Sequence, residues 1–318
     1  MGTVPEASGG EQAPIVAAEA APVAGSAAPA TPTSGLLVVD KPRGVTSHDI
    51  VAAARGALHM KKVGHAGTLD PMATGVLVVG FGNATRLLNH IVEHDKTYEA
   101  TIRLGQSTTT DDADGELLSA TSPERWQELL ALPVAGGPQS AGENGPANAA
   151  KGSAVAAAKV ADDGSAYHPH QEAFLPDCQQ LWRDRIDDII ALQLTGSIEQ
   201  VPNTFSAIKI NGQRAYDLAR DGKDVQLKAR RITVSAFGVL DVRFGYAPTR
   251  QLGLPLVSAA DGRATTERDD AEATPVIDVD VRVSCSAGTY IRALGRDLGA
   301  ALGVGGHLIR LRRTRVGG

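Results

Sequence analysis

Hydrophobic and polar positions fall into several distinct patterns along this chain, and each predicts an element. Leu36 to Val39 is a short apolar run stopped by Asp40-Lys41-Pro42, which reads as a strand. Beyond it Thr46 or Ser47 caps a predicted helix whose buried stripe is Ile50, Val51, Ala54 and Leu58. Val76 to Val79 reads as a buried strand, followed by a helix from about Thr85 that places Leu87, Leu88, Ile91 and Val92 on one side. Tyr98, Ala100, Ile102 and Leu104 alternate with Glu99, Thr101 and Arg103, the period of a half-buried strand. A similar strand turns Ile277, Val279, Val281, Val283 and Cys285 inward. Ile208-Lys209-Ile210 runs into Asn211-Gly212, a two-residue hairpin signal, ahead of a short helix around Ala215 to Arg220. The last predicted helix, from about Thr289 to Leu302, buries Ile291, Leu294, Leu298 and Leu302 and leaves Arg292 and Arg296 one turn apart on another face. Strands and helices mix without a βαβ rhythm. The fold expected is α+β, a mixed and mainly antiparallel central sheet flanked by helices.

Three stretches lack such periodicity. Residues 1 to 34 are Ala, Pro, Gly and Ser with three acids, too poor in apolar surface to offset the entropy of ordering. Residues from about 135 to 170 share that character, and about 247 to 274 is a polar acidic loop. The organisation expected is a disordered extension at 1–34 and one catalytic domain over 35–318 that carries the other two stretches as insertions. The long acidic connection between Gly115 and Cys178 is expected to be disordered.

Composition then narrows the function. The N-terminus is not a signal peptide, and no apolar run approaches the roughly 20 residues that cross a bilayer, so a soluble cytoplasmic protein without membrane contact is expected. The two cysteines, Cys178 and Cys285, lie far apart without paired Cys/His spacing, which suggests neither a disulfide framework nor a metal site. The net charge of -5 argues at first against a nucleic-acid partner. Its distribution reverses that impression, because residues 1–34, 111–180 and 240–275 together hold -13 and the remainder +8. Between Arg292 and Arg315 six arginines face a single acid, Asp297, a guanidinium source suited to phosphates or, on the blander reading, a solvated helix face.

The densest motif is Gly64-His65-Ala66-Gly67-Thr68-Leu69-Asp70-Pro71-Met72-Ala73-Thr74-Gly75, three glycines and one acid around a strand-forming segment. Something must approach the backbone closely there. On local pattern alone Asp70 before Pro71 also suits a helix N-cap with proline at the first helical position. Asp112-Ala113-Asp114-Gly115 has the look of a calcium loop, but Thr110 and Thr121 stand where ligands are needed. Gly80-Phe81-Gly82-Asn83 lacks the third glycine of a dinucleotide fingerprint and the ending of a phosphate-binding loop.

Gly64 to Gly75 resembles the catalytic signature of the TruB family, enzymes that convert the T-loop uridine at position 55 of tRNA into pseudouridine. Leu37 to Ser47 is similar to that family's opening strand and Lys-Pro turn. Lys96-Thr97-Tyr98, Arg103 to Thr108, Asp112-Ala113-Asp114-Gly115, Gly288 to Arg292, Asp297-Leu298-Gly299 and Gly306 to Arg313 follow in the family's order, over about 280 residues. The resemblance implies Asp70 as the essential carboxylate, acting as nucleophile at C1′, by addition to C6 or by proton abstraction. It implies Tyr98 as the ring stacked on an everted uracil and a proton carrier at C5, where periodicity alone suggests a core aromatic. Arg292 is implied as a bidentate partner that favours the ionised form of Asp70. Lys209, Tyr290 and Leu311 match positions lining the uracil pocket, and His65 the residue that fills space near the flipped nucleotide.

No cofactor and no metal are implied, and the expected partner is the T-arm of tRNA, bound by a monomer. Phe205 departs from the tyrosine common in the family. The sequence stops at Gly317-Gly318, where relatives continue into an RNA-binding region, often a PUA domain, so a C-terminal PUA-like domain is expected to be absent.

Overall fold

A computed structural model describes residues 33–131, 176–203, 209–210, 213–214, 227–249, 257–258 and 273–317. Thirteen strands occur among them: β1 Gly35–Lys41, β2 Val63–Ala66, β3 Thr74–Phe81, β4 Lys96–Leu104, β5 Gln106–Thr108, β6 Leu117–Ala120, β7 Gly196–Gln200, β8 Lys209–Ile210, β9 Gln213–Arg214, β10 Arg230–Pro248, β11 Val257–Ser258, β12 Ala273–Cys285 and β13 Gly306–Val316. The helices are α1 Ser47–Leu58, α2 Leu88–Val92, α3 Pro123–Ala131, α4 Pro176–Gln193 and α5 Ile291–Leu302, with a 3₁₀ turn at Gly82–Leu87 before α2.

Nine strands form one sheet in the order β1-β3-β13-β4-β12-β10-β11, with β2 added on β3 and β7 on β10. Its pairings are antiparallel except β13 with β3. The α+β class with a mixed, mainly antiparallel sheet is therefore as expected. One face of β4 and β12 carries the core: Ala100, Ile102, Leu104, Val279, Val281 and Val283 are buried against Leu294 and Leu298 of α5. Thr46 caps α1 through a reciprocal pair with Asp49, its hydroxyl accepting from the Asp49 amide while the Asp49 carboxylate accepts from the Thr46 amide.

The period-2 reading of β4 missed how central the strand is. Thr101 and Arg103, expected on the wet face, are buried too, because β12 and β13 flank β4 and the Arg103 guanidinium meets Asp278 in a two-pronged pair at 2.8 and 2.9 Å. The helix expected from Thr85 begins as the end of a 3₁₀ turn and is α-helical only from Leu88 to Val92, and only Leu88 of its predicted stripe is buried, with Leu87 and Val92 exposed. Disorder from Gly115 to Cys178 was too broad an expectation. That stretch opens with β6 and α3 and closes on the start of α4, and Trp126 of α3 packs edge-on against Trp182 of α4 with ring centroids 4.9 Å apart. Residues 132–175 lie outside the described residues, as do 1–32, Phe205 and the predicted helix around Ala215 to Arg220. Within the predicted 247–274 loop, β11 pairs with Gly245 and Tyr246 of β10. β8 and β9 pair antiparallel on either side of the expected turn, with Lys209 opposite Arg214, while Asn211 and Gly212 lie outside the described residues.

Candidate active site

Asp70 lies in the loop between β2 and β3, and no helix follows it. Its carbonyl accepts from the Ala73 amide at 3.0 Å, so Pro71 sits in a tight turn and the N-cap reading fails. Leu69, Met72 and Ala73 are buried on either side and anchor the turn in the core. Three groups hold it from beneath. The Ser47 hydroxyl, at the start of α1, donates to the Leu69 carbonyl at 3.1 Å and accepts from the Leu69 amide at 2.8 Å. The fully buried Lys41 ammonium at the end of β1 donates to the carbonyls of Pro42, Val45 and Pro71, and the Gly44 amide also donates to Pro71. Burial pulls the Lys41 ammonium below its ordinary value, an effect opposed by the charges of Asp70 and Asp49.

The close approach demanded by the glycines comes from the protein itself. Gly75 has φ +101° and a side-chain carbon there would stand 2.1 Å from the Arg313 carbonyl of β13. Gly67, at φ +84°, presents its carbonyl to the Arg313 guanidinium at 3.1 Å, and Arg313 also donates to the Val76 carbonyl at 2.8 Å. Arg313 is thus a buried strut behind the Asp70 loop.

Arg292, in the first turn of α5, meets Asp70 at 3.1 Å through Nε and Asp112 at 3.2 Å through Nη1, and donates from Nη1 to the Thr110 carbonyl at 2.9 Å. The sequence reading gives Asp112 no role of its own: it stands in the Asp112-Ala113-Asp114-Gly115 motif that follows the family's order and in a failed calcium motif, although an acid in a turn just after a buried strand was the available signal. Its carboxylate also accepts from the Thr110 hydroxyl and the Asp114 amide, which fixes it toward Arg292.

Arg292 favours the ionised form of Asp70, as expected, but burial outweighs it. Desolvation is the largest influence and raises the Asp70 pKa; Arg292 lowers it, Asp112 raises it and Lys41 lowers it, leaving the acid above its ordinary value. Even so, the side chain keeps about a third of its surface accessible, because it opens onto a cavity of about 280 Å³.

That cavity is lined by Asp70, Tyr98, Tyr290, Arg292, Leu311 and Lys96 among others. Tyr98, at the start of β4, is buried; desolvation raises its hydroxyl pKa, and a hydrogen bond from Arg313 opposes the rise. Tyr290 precedes α5 and is fixed by two bonds to the Gln200 side chain, its amide donating at 2.9 Å and its carbonyl accepting at 3.0 Å. Lys96 donates to the Val92 and His94 carbonyls. His65 is half-buried on β2 opposite Val79 and stands outside the lining; burial lowers its pKa and keeps it neutral. Lys209 is placed by its backbone in β8, and its side chain lies outside the described residues.

The predicted guanidinium source is largely spent inside the protein. Arg292 and Arg313 are buried, Arg296 pairs with Asp111 and Asp297, and Arg312 pairs with Asp40. Arg310 and Arg315 are exposed.

The family model described as TruB family pseudouridylate synthase (N terminal domain) matches residues 55–132 and 158–251. A protein named tRNA pseudouridine synthase B from Bifidobacterium longum (strain NCC 2705) is 57% identical over 290 residues, covering 90% of this chain and 64% of that protein. Proteins of the same name from Streptomyces avermitilis and Thermobifida fusca are 44% and 45% identical, each covering 89% of this chain, and 68% and 69% of their own lengths. The solved structure titled "Crystal Structure of a Cbf5-Nop10-Gar1 Complex" is a more distant likeness, 24% identical with a TM-score of 0.45 over 89% of this chain and 49% of that one. The family model puts the chain in the pseudouridylate synthase class. Within that class the chain belongs to the TruB family, spanning 64% of the length of the Bifidobacterium relative.

Proposed function

We propose that this protein is an isomerase that converts uridine to pseudouridine in the T-loop of tRNA, at position 55, with Asp70 as the essential carboxylate. The observation that carries the reading is the meeting of Asp70 and Arg292 at 3.1 Å on the wall of a cavity that Tyr98, Tyr290 and Leu311 also line. The printed name of the relatives, tRNA pseudouridine synthase B, supports tRNA as the substrate.

The reaction breaks the C1′–N1 bond, turns the uracil and joins C1′ to C5; the C5 proton is lost and N1 gains one, so neither water nor an oxidant is consumed. A target base inside a folded loop must be everted, and the apolar and aromatic wall of the cavity offsets part of the lost stacking. Asp70 needs to be ionised to act at C1′ or C6. Arg292 orients it and offsets part of the desolvation that favours its protonated form. Tyr98 is assigned as the proton carrier at C5; burial disfavours its phenolate, so the hydroxyl passes its own proton on as it takes up the one from C5. His65, Lys209, Tyr290 and Leu311 are assigned to substrate binding, Tyr290 and Leu311 on the cavity wall.

The deciding experiment measures tritium release from C5-labelled uridine in tRNA. Asp70→Asn is expected to abolish release while tRNA binding persists; preserved turnover in that variant would refute the role of Asp70. Mapping pseudouridine in tRNA and rRNA with and without the protein tests the T-loop, and new sites in rRNA alone would reassign the substrate.

A further inference from the structure

Next to the pair that faces the cavity stands a second one that the proposed reaction does not use. Asp111 and Asp112 are consecutive, and Arg292 and Arg296 are one turn apart on α5. Asp112 meets Arg292 at 3.2 Å and Asp111 meets Arg296 at 3.3 Å, two rungs between one turn of chain and one helix face. Neighbouring side chains on an extended strand point to opposite sides. Here Asp111 has φ +57°, a left-handed conformation unusual for a residue other than glycine, and the chain turns there so that both carboxylates address the same helix. Asp111 also accepts from the amide of the buried Asn203, and its carbonyl accepts from the Leu308 amide at 3.0 Å. Arg296 in turn donates to the Val201 carbonyl at 2.8 Å and to Asp297 at 3.0 Å.

We propose that Asp111 and Arg296 are positioning residues: their ion pair, locked by Asn203, sets the Thr110–Asp112 turn so that the Thr110 carbonyl and the Asp112 carboxylate hold Arg292 against Asp70. Neither lines the cavity. The inference rests on the reading of Asp70 as the reactive carboxylate.

The test uses the full chain with Asp111→Asn, Arg296→Gln, the double variant and Arg296→Lys. Asparagine tolerates the left-handed backbone and keeps the shape without the charge. Each single variant is expected to lower kcat on tRNA at least about tenfold with KM within about twofold, since a small misplacement of a reacting group is costly. The double variant should be no slower than the slower single variant, and Arg296→Lys should recover part of the loss. Independent effects that multiply in the double variant, or losses confined to KM, overturn the proposal.

A second measurement does not depend on turnover: the carbon-13 titration of the Asp70 carboxyl, identified by its disappearance in Asp70→Asn. The charged groups facing Asp70 are Arg292 from α5, Asp112 from the turn and Lys41 from β1. Deleting a distant negative charge lowers the Asp70 pKa by simple electrostatics, whereas loosening Arg292 raises it, so the sign discriminates. An upward displacement in folded Asp111→Asn supports the positioning pair; a downward one, or none, sinks it. Native protein inactive on every RNA tested removes the functional reading of Asp70, and the titration still decides the pair.

Discussion

At the scale of single residues the site is a competition between burial and charge. Asp70 is raised above its ordinary pKa of 3.8, so the folded protein binds that proton more tightly than the unfolded chain does. The sign follows directly. Ionising Asp70 costs the folded state stability as pH rises from 3.8 through the raised value, and above that window the full cost is present. Asp70→Asn is therefore expected to be inactive yet at least as stable as the native protein at pH 7, with the difference closing below pH 3.8, as thermal unfolding across pH would register. The same shift predicts that kcat rises with pH along an acid limb centred above the ordinary carboxyl range. Asp112 behaves differently, because the buried Arg292 needs it. Asp112→Asn leaves a guanidinium with one carboxylate in place of two and is expected to cost about 3 kcal/mol, the low end for a broken buried pair, and about a hundredfold in kcat. Urea unfolding and single-turnover rates check both figures.

At the scale of elements, legibility followed local pattern. The capped α1, the apolar strands β3 and β12 and the pairing of β8 with β9 could be read because their signals lie within a few consecutive residues. The helices α3 and α4 were missed because their packing is not local: Trp126 and Trp182 are each fully buried mainly by what other segments bring to them, and the Trp126 indole donates to the Pro275 carbonyl of β12 at 3.1 Å. Trp182→Ala is expected to cost about 3–5 kcal/mol and lower the urea midpoint accordingly. The match to the family breaks between residues 132 and 158, within the span that separates these two helices. Replacing residues 135–170 by a Gly/Ser linker of about 12 residues is expected to leave that midpoint and the turnover unchanged, since shortening a loop changes closure entropy little. A large drop in either would give the segment a part in the fold or the site.

At the scale of the whole molecule, charge is distributed more economically than its count suggests. The arginine-rich C-terminal stretch was expected to present a block of guanidinium to phosphate, but Arg292 and Arg313 brace the cavity from inside, while Arg296 and Arg312 are tied to acids. Binding to tRNA then falls to exposed cations from several elements, among them Arg43, Lys61, Lys62, Arg86, Arg310 and Arg315. KM is expected to rise at least on the order of tens-fold between 50 and 200 mM salt, with kcat nearly constant; a flat KM would exclude an electrostatic docking surface. The sequence by itself determined the class of fold and the order of its motifs, because hydrophobic period and motif spacing are properties of neighbouring residues; the part given to Asp70 came from resemblance to a family, since local pattern suited an N-cap equally. Only the tertiary structure decided that Asp112 shares Arg292 across 180 positions of chain, that Arg313 rather than a ligand crowds Gly75, and that Asp70 is shifted upward and not downward. The physical reason is that desolvation and ion pairing depend on every group that surrounds a side chain, and those groups are assembled from segments far apart in sequence.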